Sequence, residues 1–313
     1  MKTYKTSMSY EAGFCSVHLE NDCLSVSVIP ELGARIVSLR DKKSGREWLW
    51  RPSGPLKLWR NHLGDSFSLG TFVGADECLP TVGACLWNGR ELPDHGEVWS
   101  CTWQLDEAAF TEGRINTTIR LPRSPLVLSR ELSLVGSALR MDYTLANVGS
   151  RPEAWLWAWH PLLSIKSGDR LELPDEVDSL FVETAQHPDA RRGEIWDWPA
   201  HADCIRLDAL ELDGDNSYVK AFAGPVRSGI ARIVNKKTHT RLQLRWDAAT
   251  LPYLGIWLTR GGYNGWHHLA LEPTNLQADA LADAAKTVQP LTPNTKKTWW
   301  MEVELSSWSA PFN

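Results

Sequence analysis

The chain has 313 residues, a formal net charge of −5 and a pI near 6.0. Its basic residues are scattered in runs of no more than two, so it offers no basic face for nucleic acid. No stretch approaches the roughly 20 apolar residues of a membrane span, and no apolar secretory segment follows Met1–Lys5. The sequence therefore predicts a cytoplasmic protein without a membrane partner.

Strand-like runs recur along the chain and predict antiparallel sheets with one buried face, because polar and apolar residues alternate in them. The runs are Leu24–Ile29, Ala34–Leu39, Val98–Leu105, Arg114–Leu121, Leu126–Leu134, Ala138–Leu145, Tyr218–Ala223, Gly229–Val234, Arg241–Trp246, Tyr253–Leu258, His268–Leu271 and Thr298–Leu305. Turn residues at Pro122–Pro125 and Val135–Ser137 predict hairpins. Helical signals are thin, and only Asn275–Lys286, with Asn275 as N-cap, is predicted as a short helix.

No strand–helix alternation and no G-x-G-x-x-G motif occur, which argues against a dinucleotide-binding fold. No fixed-period repeat or low-complexity linker divides the chain. We therefore expect one all-β domain over residues 1–313, with a large antiparallel two-sheet sandwich as the natural architecture. Two loop-rich stretches, Arg51–Gly74 and Gly261–Gly265, are predicted either to border a cleft or to be ordinary surface loops.

The cysteine and tryptophan content indicates which kinds of site the chain can form. The six cysteines include no C-x-x-C pair, and no H-E-x-x-H motif occurs, so we expect reduced cysteines and no metal site. Seventeen tryptophans outnumber the seven phenylalanines and six tyrosines. Most should fill the space between sheets, while a few could line a sugar cleft, where a flat ring stacks on C–H faces.

Three short segments place a titratable residue beside turn-forming or rigid neighbours. They are Pro93–Trp99 with His95, Trp159–Leu163 with His160, and Leu271–Asn275 with Glu272. Two histidines and a carboxylate can move protons near neutral pH. Taken singly, His160 is more often a hydrogen-bonded core histidine, Glu272 a surface carboxylate and His95 a turn residue.

With these segments in this order, the chain resembles the aldose 1-epimerase (galactose mutarotase-like) family. The resemblance also rests on Pro30–Leu39 and Asp76–Thr81, so it spreads over most of the chain. It implies a β-supersandwich fold and an open cleft that binds a monosaccharide.

The resemblance further implies roles for individual residues. Glu272 matches the family's catalytic carboxylate, His160 its catalytic histidine, and His95 a cleft histidine that binds and polarises the sugar. The family's sugar-binding aspartate has no clear match, with Asp197 and Asp203 as nearby candidates. The Asn-Arg-rich stretch that precedes the first histidine in galactose-specific members is not evident.

Asp76 and Glu77 are further candidates for binding the sugar. Neighbours on a strand point to opposite faces, so only one of the two can enter a cleft if the segment is extended. For Glu77, a solvated turn acid is an equal alternative to binding sugar hydroxyls.

Mutarotation is the reaction these residues suit. A base takes the proton of the anomeric hydroxyl while an acid protonates the ring oxygen, and the roles reverse when the ring closes on its other face. We expect Glu272 to act as the base and His160 as the acid, both with pKa values near the working pH. No metal or organic cofactor is required.

Two other functions stay open at this stage. A glycoside hydrolase or lyase would need a second carboxylate at the scissile bond, and a binding or regulatory module could keep the fold without turnover. The sequence does not name the sugar or the oligomeric state. A phosphorylated sugar would need a positive pocket, for which Arg35, Arg60 and Arg260 are candidates.

Overall fold

A computed structural model describes residues 4–186, 190–201, 205–210 and 216–308, and most of its regular structure is strand. The strands, numbered in chain order, are β1 (Lys5–Glu11), β2 (Phe14–Glu20), β3 (Leu24–Ile29), β4 (Arg35–Asp41), β5 (Ala75–Cys78), β6 (Cys85–Trp87), β7 (Arg90–Leu92), β8 (Gln104–Leu105), β9 (Ile115–Arg120), β10 (Leu126–Val135), β11 (Ala138–Asn147), β12 (Ala158–Pro161), β13 (Asp169–Glu172), β14 (Ser179–Ala185), β15 (Ile195–Asp197), β16 (Ala200–His201), β17 (Ile205–Arg206), β18 (Ala209–Leu210), β19 (Tyr218–Ala223), β20 (Ile230–Asn235), β21 (Thr240–Trp246), β22 (Tyr253–Arg260), β23 (His267–Thr274) and β24 (Lys296–Ser307).

Helical structure is sparse. In the described ranges it comprises one α-helix, α1 (Glu107–Thr111), and 3₁₀ turns at Pro30–Leu32, Phe67–Leu69 and Leu281–Ala284. Among the helices of those ranges, none is long and apolar enough to span a membrane.

Two large antiparallel sheets form the body of the protein. The eleven-stranded sheet has the order β1-β2-β3-β4-β5-β12-β23-β22-β19-β14-β15, and the nine-stranded sheet has the order β18-β13-β20-β21-β24-β11-β10-β9-β8. Two small hairpins pair β6 with β7 and β16 with β17. The predicted all-β class with large antiparallel sheets is confirmed.

Strand β10 shows why the sequence forms these sheets. Leu126, Leu128, Arg130, Leu132 and Leu134 are buried, while the residues that alternate with them are half-exposed and Val135 at the end of the strand is exposed. This alternation places one face of the strand in the core. The following turn contains Gly136 at φ 61°, a backbone conformation that glycine adopts without a steric penalty, and it leads directly into the paired strand β11.

The core lies between the two sheets and is rich in aromatic rings. Apolar residues from both sheets belong to one continuous buried cluster. Tyr143 stacks on Trp299 with ring centroids 5.4 Å apart, and Trp157 packs against both rings. A buried large apolar side chain contributes about 1.5–3 kcal/mol to stability. These rings therefore have the structural role expected of most tryptophans in the chain.

The predicted strand Val98–Leu105 is largely wrong, since only Gln104–Leu105 pairs as β8. The indole of Trp103 donates to the carbonyl of Val98, and the indole of Trp99 donates to the carbonyl of Asp94. Each indole thus folds back onto the backbone five residues earlier. A compact irregular segment results, in which the rings are buried without forming an extended strand.

The predicted helix Asn275–Lys286 is also wrong. The amide group of Asn275 accepts from the backbone N–H of Trp157 and donates to the carbonyl of Trp155, so it bridges to the segment before β12 and does not cap a helix. The alanines and leucines that follow, among them Ala278 and Leu281, pack in a second buried cluster. Only Leu281–Ala284 forms a 3₁₀ turn there.

Candidate active site

One face of the eleven-stranded sheet brings together polar residues from distant parts of the chain. Strands β5, β12, β23, β22 and β19 are neighbours in that order. Their registers place on this face, in the same order, Asp76, His160, Glu272, Trp257 and Lys220. Side chains of a strand alternate between its two faces, so a shift of one residue in any register would remove its side chain from this set.

A cleft lies over this face, bordered by both predicted loop-rich stretches. It contains about 750 Å³ of space outside the protein atoms, part of it open to solvent. The cleft is lined by Phe67, Ser68 and Phe72 of the first loop, by Tyr263 of the second, and by Val82, Asp94, His95, His160, Leu162, Thr184, Lys220, Trp257, His268 and Asp279.

His160 lines the floor of this cleft, and Glu272 is packed against it. The Nε2 atom of His160 lies 3.6 Å from Oε1 of Glu272. Among the described residues, neither Nδ1 of His160 nor Oε1 of Glu272 has a hydrogen-bond partner, although both atoms are buried. Glu272 is 1% exposed and is not part of the cleft lining, so it lies beneath His160. A buried acceptor without a donor costs about 1–3 kcal/mol, which a ligand hydroxyl could recover.

Lys220 holds the other oxygen of Glu272. Its Nζ lies 2.5 Å from Oε2 of Glu272 and 3.3 Å from Oδ1 of Asp279. Burial by itself lowers the pKa of Lys220, but the charges of Asp279 and Glu272 outweigh it and raise the pKa above its ordinary value. The ammonium therefore stays charged, and the two oxygens of Glu272 have different surroundings.

Gly255 makes room for this arrangement. It lies directly opposite Glu272 on β22, and a Cβ at this position would come 3.2 Å from Oε2 of Glu272. A side chain there would press on the carboxylate that Lys220 holds. The absence of a side chain on β22 thus helps to set where the carboxylate sits.

His95 enters the cleft from a tight turn. Its backbone is left-handed at φ 56°, and its ring stacks on Phe67 with centroids 3.8 Å apart and 5.1 Å from the ring of His160. Asp94 fixes this position, since its Oδ1 lies 2.8 Å from Nδ1 of His95 and its Oδ2 accepts from the backbone N–H of Phe67. Burial raises the pKa of Asp94, but the hydrogen bond and charge of His95 lower it overall.

Asp76 faces the cleft side of the sheet but lies below the cleft surface. It is 1% exposed and accepts a 2.8 Å hydrogen bond from Nε of Arg35. Arg35 also donates to the carbonyl of Thr71, at the end of the first loop. Burial raises the pKa of Asp76 to about 6, against the opposing charge of Arg35. Asp76 therefore stabilises the Arg51–Gly74 loop through Arg35 and does not line the cleft.

Glu77 points to the opposite face, into the core between the sheets. It is fully buried and accepts hydrogen bonds from Arg130 at 2.8 Å and from Tyr143 at 2.9 Å. Burial raises its pKa to about 7, although Arg130 opposes this. The sugar contacts predicted for Asp76 and Glu77 are thus not available in this structure, because an arginine and surrounding protein enclose each carboxylate.

Comparison with known proteins bears on the fold. No protein-family model and no curated protein matches the sequence. Solved structures do match over nearly the whole chain. The Slr1438 protein from Synechocystis sp. PCC 6803 aligns with a TM-score of 0.71 at 16% identity, over 98% of this chain and 100% of that one. A galactose mutarotase related enzyme from Lactobacillus acidophilus aligns with a TM-score of 0.68 at 16% identity, over 93% and 97%.

A galactose mutarotase-like protein from Lactobacillus casei ATCC 334 gives a TM-score of 0.65 at 18% identity, over 93% of this chain and 100% of that one. The chain has the galactose mutarotase-like fold. The fold implied by the sequence resemblance is therefore confirmed, while identities this low leave the activity to be argued from the site.

Sequence reasoning missed several cleft residues of this mutarotase-like fold. Lys220 and Asp279 are the charged ones, and Phe67, Phe72 and Tyr263 are the aromatic ones. Lys220 could have been recognised from the sequence as a candidate, because it is a charged residue in the otherwise apolar run Tyr218–Ala223. Nothing in the sequence identified Glu272 and Asp279 as its partners.

Other predicted candidates lie away from the cleft. Arg35 is paired with Asp76, Arg60 with Glu31, and Arg260 donates to the carbonyls of Arg206 and Ala209. Asp197 is exposed at the edge strand β15, and Asp203 lies outside the described residues. Within the described ranges, no three His, Cys, Asp or Glu side chains cluster to hold a metal ion, and the cysteines are free.

The two histidines that face the cleft from the mutarotase-like sheet should remain neutral in mildly acidic solution. Burial, reinforced by His95 and Lys220, lowers the pKa of His160 well below its ordinary value. Burial likewise lowers the pKa of His268 to about 3, with His160 contributing. The unfolded chain binds protons at these two histidines below about pH 6.5, and the folded protein does not. The free energy of unfolding should therefore decrease as the pH is lowered below about 6.5.

We expect ¹⁵N NMR of the imidazole rings to show His160 and His268 neutral from pH 8 to pH 5. A midpoint near 6.5 for His160 would contradict the electrostatics described above.

Proposed function

We propose that this protein is an aldose 1-epimerase-like isomerase that interconverts the α and β anomers of an uncharged sugar. The observation that carries the proposal is the His160–Glu272 pair at the floor of an aromatic-lined cleft. Oε1 of Glu272 has no hydrogen-bond donor, while Lys220 is bound to Oε2 of the same carboxylate. Such a pair can take and return a proton beside one carbon atom.

The proton path follows from the charge states. Glu272 Oε1 takes the proton of the anomeric hydroxyl as the C1–O5 bond opens, and the Nε2–H of neutral His160 passes its proton to the ring oxygen, which becomes the C5 hydroxyl. A neutral imidazole can act as the electrophile at an oxygen atom. Glu272 gives its proton to Nε2 across the 3.6 Å gap in the same step, so His160 stays neutral and no imidazolate accumulates. After the carbonyl rotates, the same steps run backwards on the other face. Binding requires the two side chains to part slightly, since Glu272 is covered in the free protein.

His95 is proposed to bind the sugar, and the aromatic rings to stack on it. Asp94 and Phe67 hold His95 in place beside His160 of the proposed proton-transfer pair. Hydroxyl groups can bond Asp279, Asp94 and Thr184, which also line the cleft. No step needs a metal or an organic cofactor.

An uncharged sugar fits the charges of the cleft better than a sugar phosphate. The lysine in the lining is already shared by two carboxylates, and Asp94 and Asp279 are acidic. The candidate arginines for phosphate are bound elsewhere. A phosphate needs positive or N–H donors that are free to bind it.

Polarimetry of freshly dissolved α-anomers tests the activity and the substrate class together. The first-order rate constant for D-glucose or D-galactose should rise in proportion to protein concentration, while that for D-glucose 6-phosphate should stay at its protein-free value. Binding of the neutral sugars without acceleration would indicate a binding module. Release of reducing ends from oligosaccharides would indicate a hydrolase. Either outcome contradicts the proposal.

A further inference from the structure

A second groove adjoins the cleft and shares Ser68 and Phe72 with it. It contains about 1000 Å³ of space outside the protein atoms and is open to solvent. We call it the outer groove and define it by Lys57, Trp59, Ser68, Phe72, Asn264 and Trp266. Ser68 and Phe72 line both spaces, so the outer groove and the cleft lie side by side along the loop that carries Phe67.

The outer groove combines flat aromatic faces with hydrogen-bonding groups. Trp59 is 44% exposed, which is unusual for so large an apolar ring. Phe72 and Trp266 pack with centroids 4.6 Å apart and form the wall towards the cleft. Lys57 and Asn264 are exposed beside them. Aromatic rings can stack on the C–H faces of a sugar, and amide and ammonium groups can bind its hydroxyls. The outer groove therefore matches the chemistry of a sugar ring.

Trp59 is held in place by the structure beneath it. Its backbone N–H donates to the hydroxyl of Thr71, and that hydroxyl donates back to the carbonyl of Trp59. The carbonyl of Thr71 is bound by Arg35, which forms the buried pair with Asp76. An exposed ring on a fixed backbone is preorganised, which lowers the entropy cost of binding.

We propose that the outer groove is a subsite for the second ring of an uncharged reducing disaccharide or longer saccharide. This inference rests on the proposed function, because it is the reducing ring that must lie at His160 and Glu272. The rest of the saccharide then leaves the cleft past Ser68 and Phe72. The substrate would be the reducing end of a saccharide, and a free monosaccharide would fill only the inner part of the site.

Binding and exchange measured on a panel of sugars test the subsite. The probes are D-glucose, maltose, cellobiose, lactose and melibiose, which vary the linkage, with D-glucose 6-phosphate as the charged probe. We expect at least one disaccharide to bind about 10-fold more tightly than glucose in calorimetry. Trp59→Ala should lower the ratio of disaccharide to glucose kcat/KM by about 3- to 10-fold, the worth of one aromatic stack.

Trp308→Ala is the matched control. Trp308 is 41% exposed, packs on His239 and lies on the nine-stranded sheet side, away from both grooves. Trp308→Ala should leave every ratio of disaccharide to glucose kcat/KM unchanged. The subsite is overturned if no disaccharide binds more tightly than glucose, or if Trp59→Ala and Trp308→Ala change the ratios alike. It is also overturned if D-glucose 6-phosphate binds more tightly than every disaccharide and Lys57→Ala removes that extra affinity.

The subsite and the proposed function can fail separately. Exchange of glucose with no advantage for any disaccharide leaves the function standing and removes the subsite. Tight disaccharide binding that depends on Trp59, with no exchange of any sugar, supports the subsite and removes the isomerase proposal.

Discussion

Replacing Glu272 by Gln should lower the catalysed anomer-exchange rate constant by about 10²–10⁴-fold, the usual contribution of one positioned acid–base group. The amide keeps the shape of the side chain but cannot take the proton of the anomeric hydroxyl. It also cannot return a proton to Nε2 of His160 across the 3.6 Å gap. Polarimetry and a melting curve on the same sample separate lost catalysis from lost folding.

A carboxylate outside the cleft provides the control for this substitution. Glu172, on β13 of the nine-stranded sheet, has a side chain that is 48% exposed. Glu172→Gln should keep the full rate. Retention of the full rate in folded Glu272→Gln would remove the proposed proton path.

Replacing Lys220 by Met should lower the free energy of unfolding by about 3–5 kcal/mol near pH 8, because it leaves the buried carboxylate of Glu272 without its cation. Asp279, whose side chain is 27% exposed, keeps contact with water and should contribute less to the loss. Urea unfolding at pH 8 measures the loss.

A double-substitution cycle shows whether Lys220 acts through Glu272. The variant Lys220→Met with Glu272→Gln should recover a large part of the lost stability, because neither side chain is then charged. Additive losses would mean that Lys220 contributes through other contacts. That result would remove its proposed role in holding Oε2 and leaving Oε1 free.

The strands were predictable because their pattern is local. Alternation in β10 and β11 follows directly from side chains that must face a core on one side. The predicted helix Asn275–Lys286 failed for a tertiary reason, since Asn275 satisfies backbone groups of the Trp155–Trp157 segment. Local propensity cannot reveal that competition.

The candidate site was predictable only in part. His95, His160 and Glu272 stood in recognisable segments, and the structure brings His160 within 3.6 Å of Glu272. The position of Lys220 could not be predicted, because it depends on strand register. Only the pairing of β19 with β22 and of β22 with β23 places Lys220 beside Glu272. The adjacency of Asp76 and Glu77 predicted opposite faces, but their enclosing arginines come from other strands.

The most direct test of anomer exchange in this cleft is saturation transfer by ¹H NMR in an equilibrated reducing sugar. Irradiating the α anomeric proton should lower the β signal in proportion to the concentration of the wild-type protein, and Glu272→Gln should abolish that transfer. Transfer no greater than in protein-free solution, at sugar concentrations where binding is measured, would contradict the account.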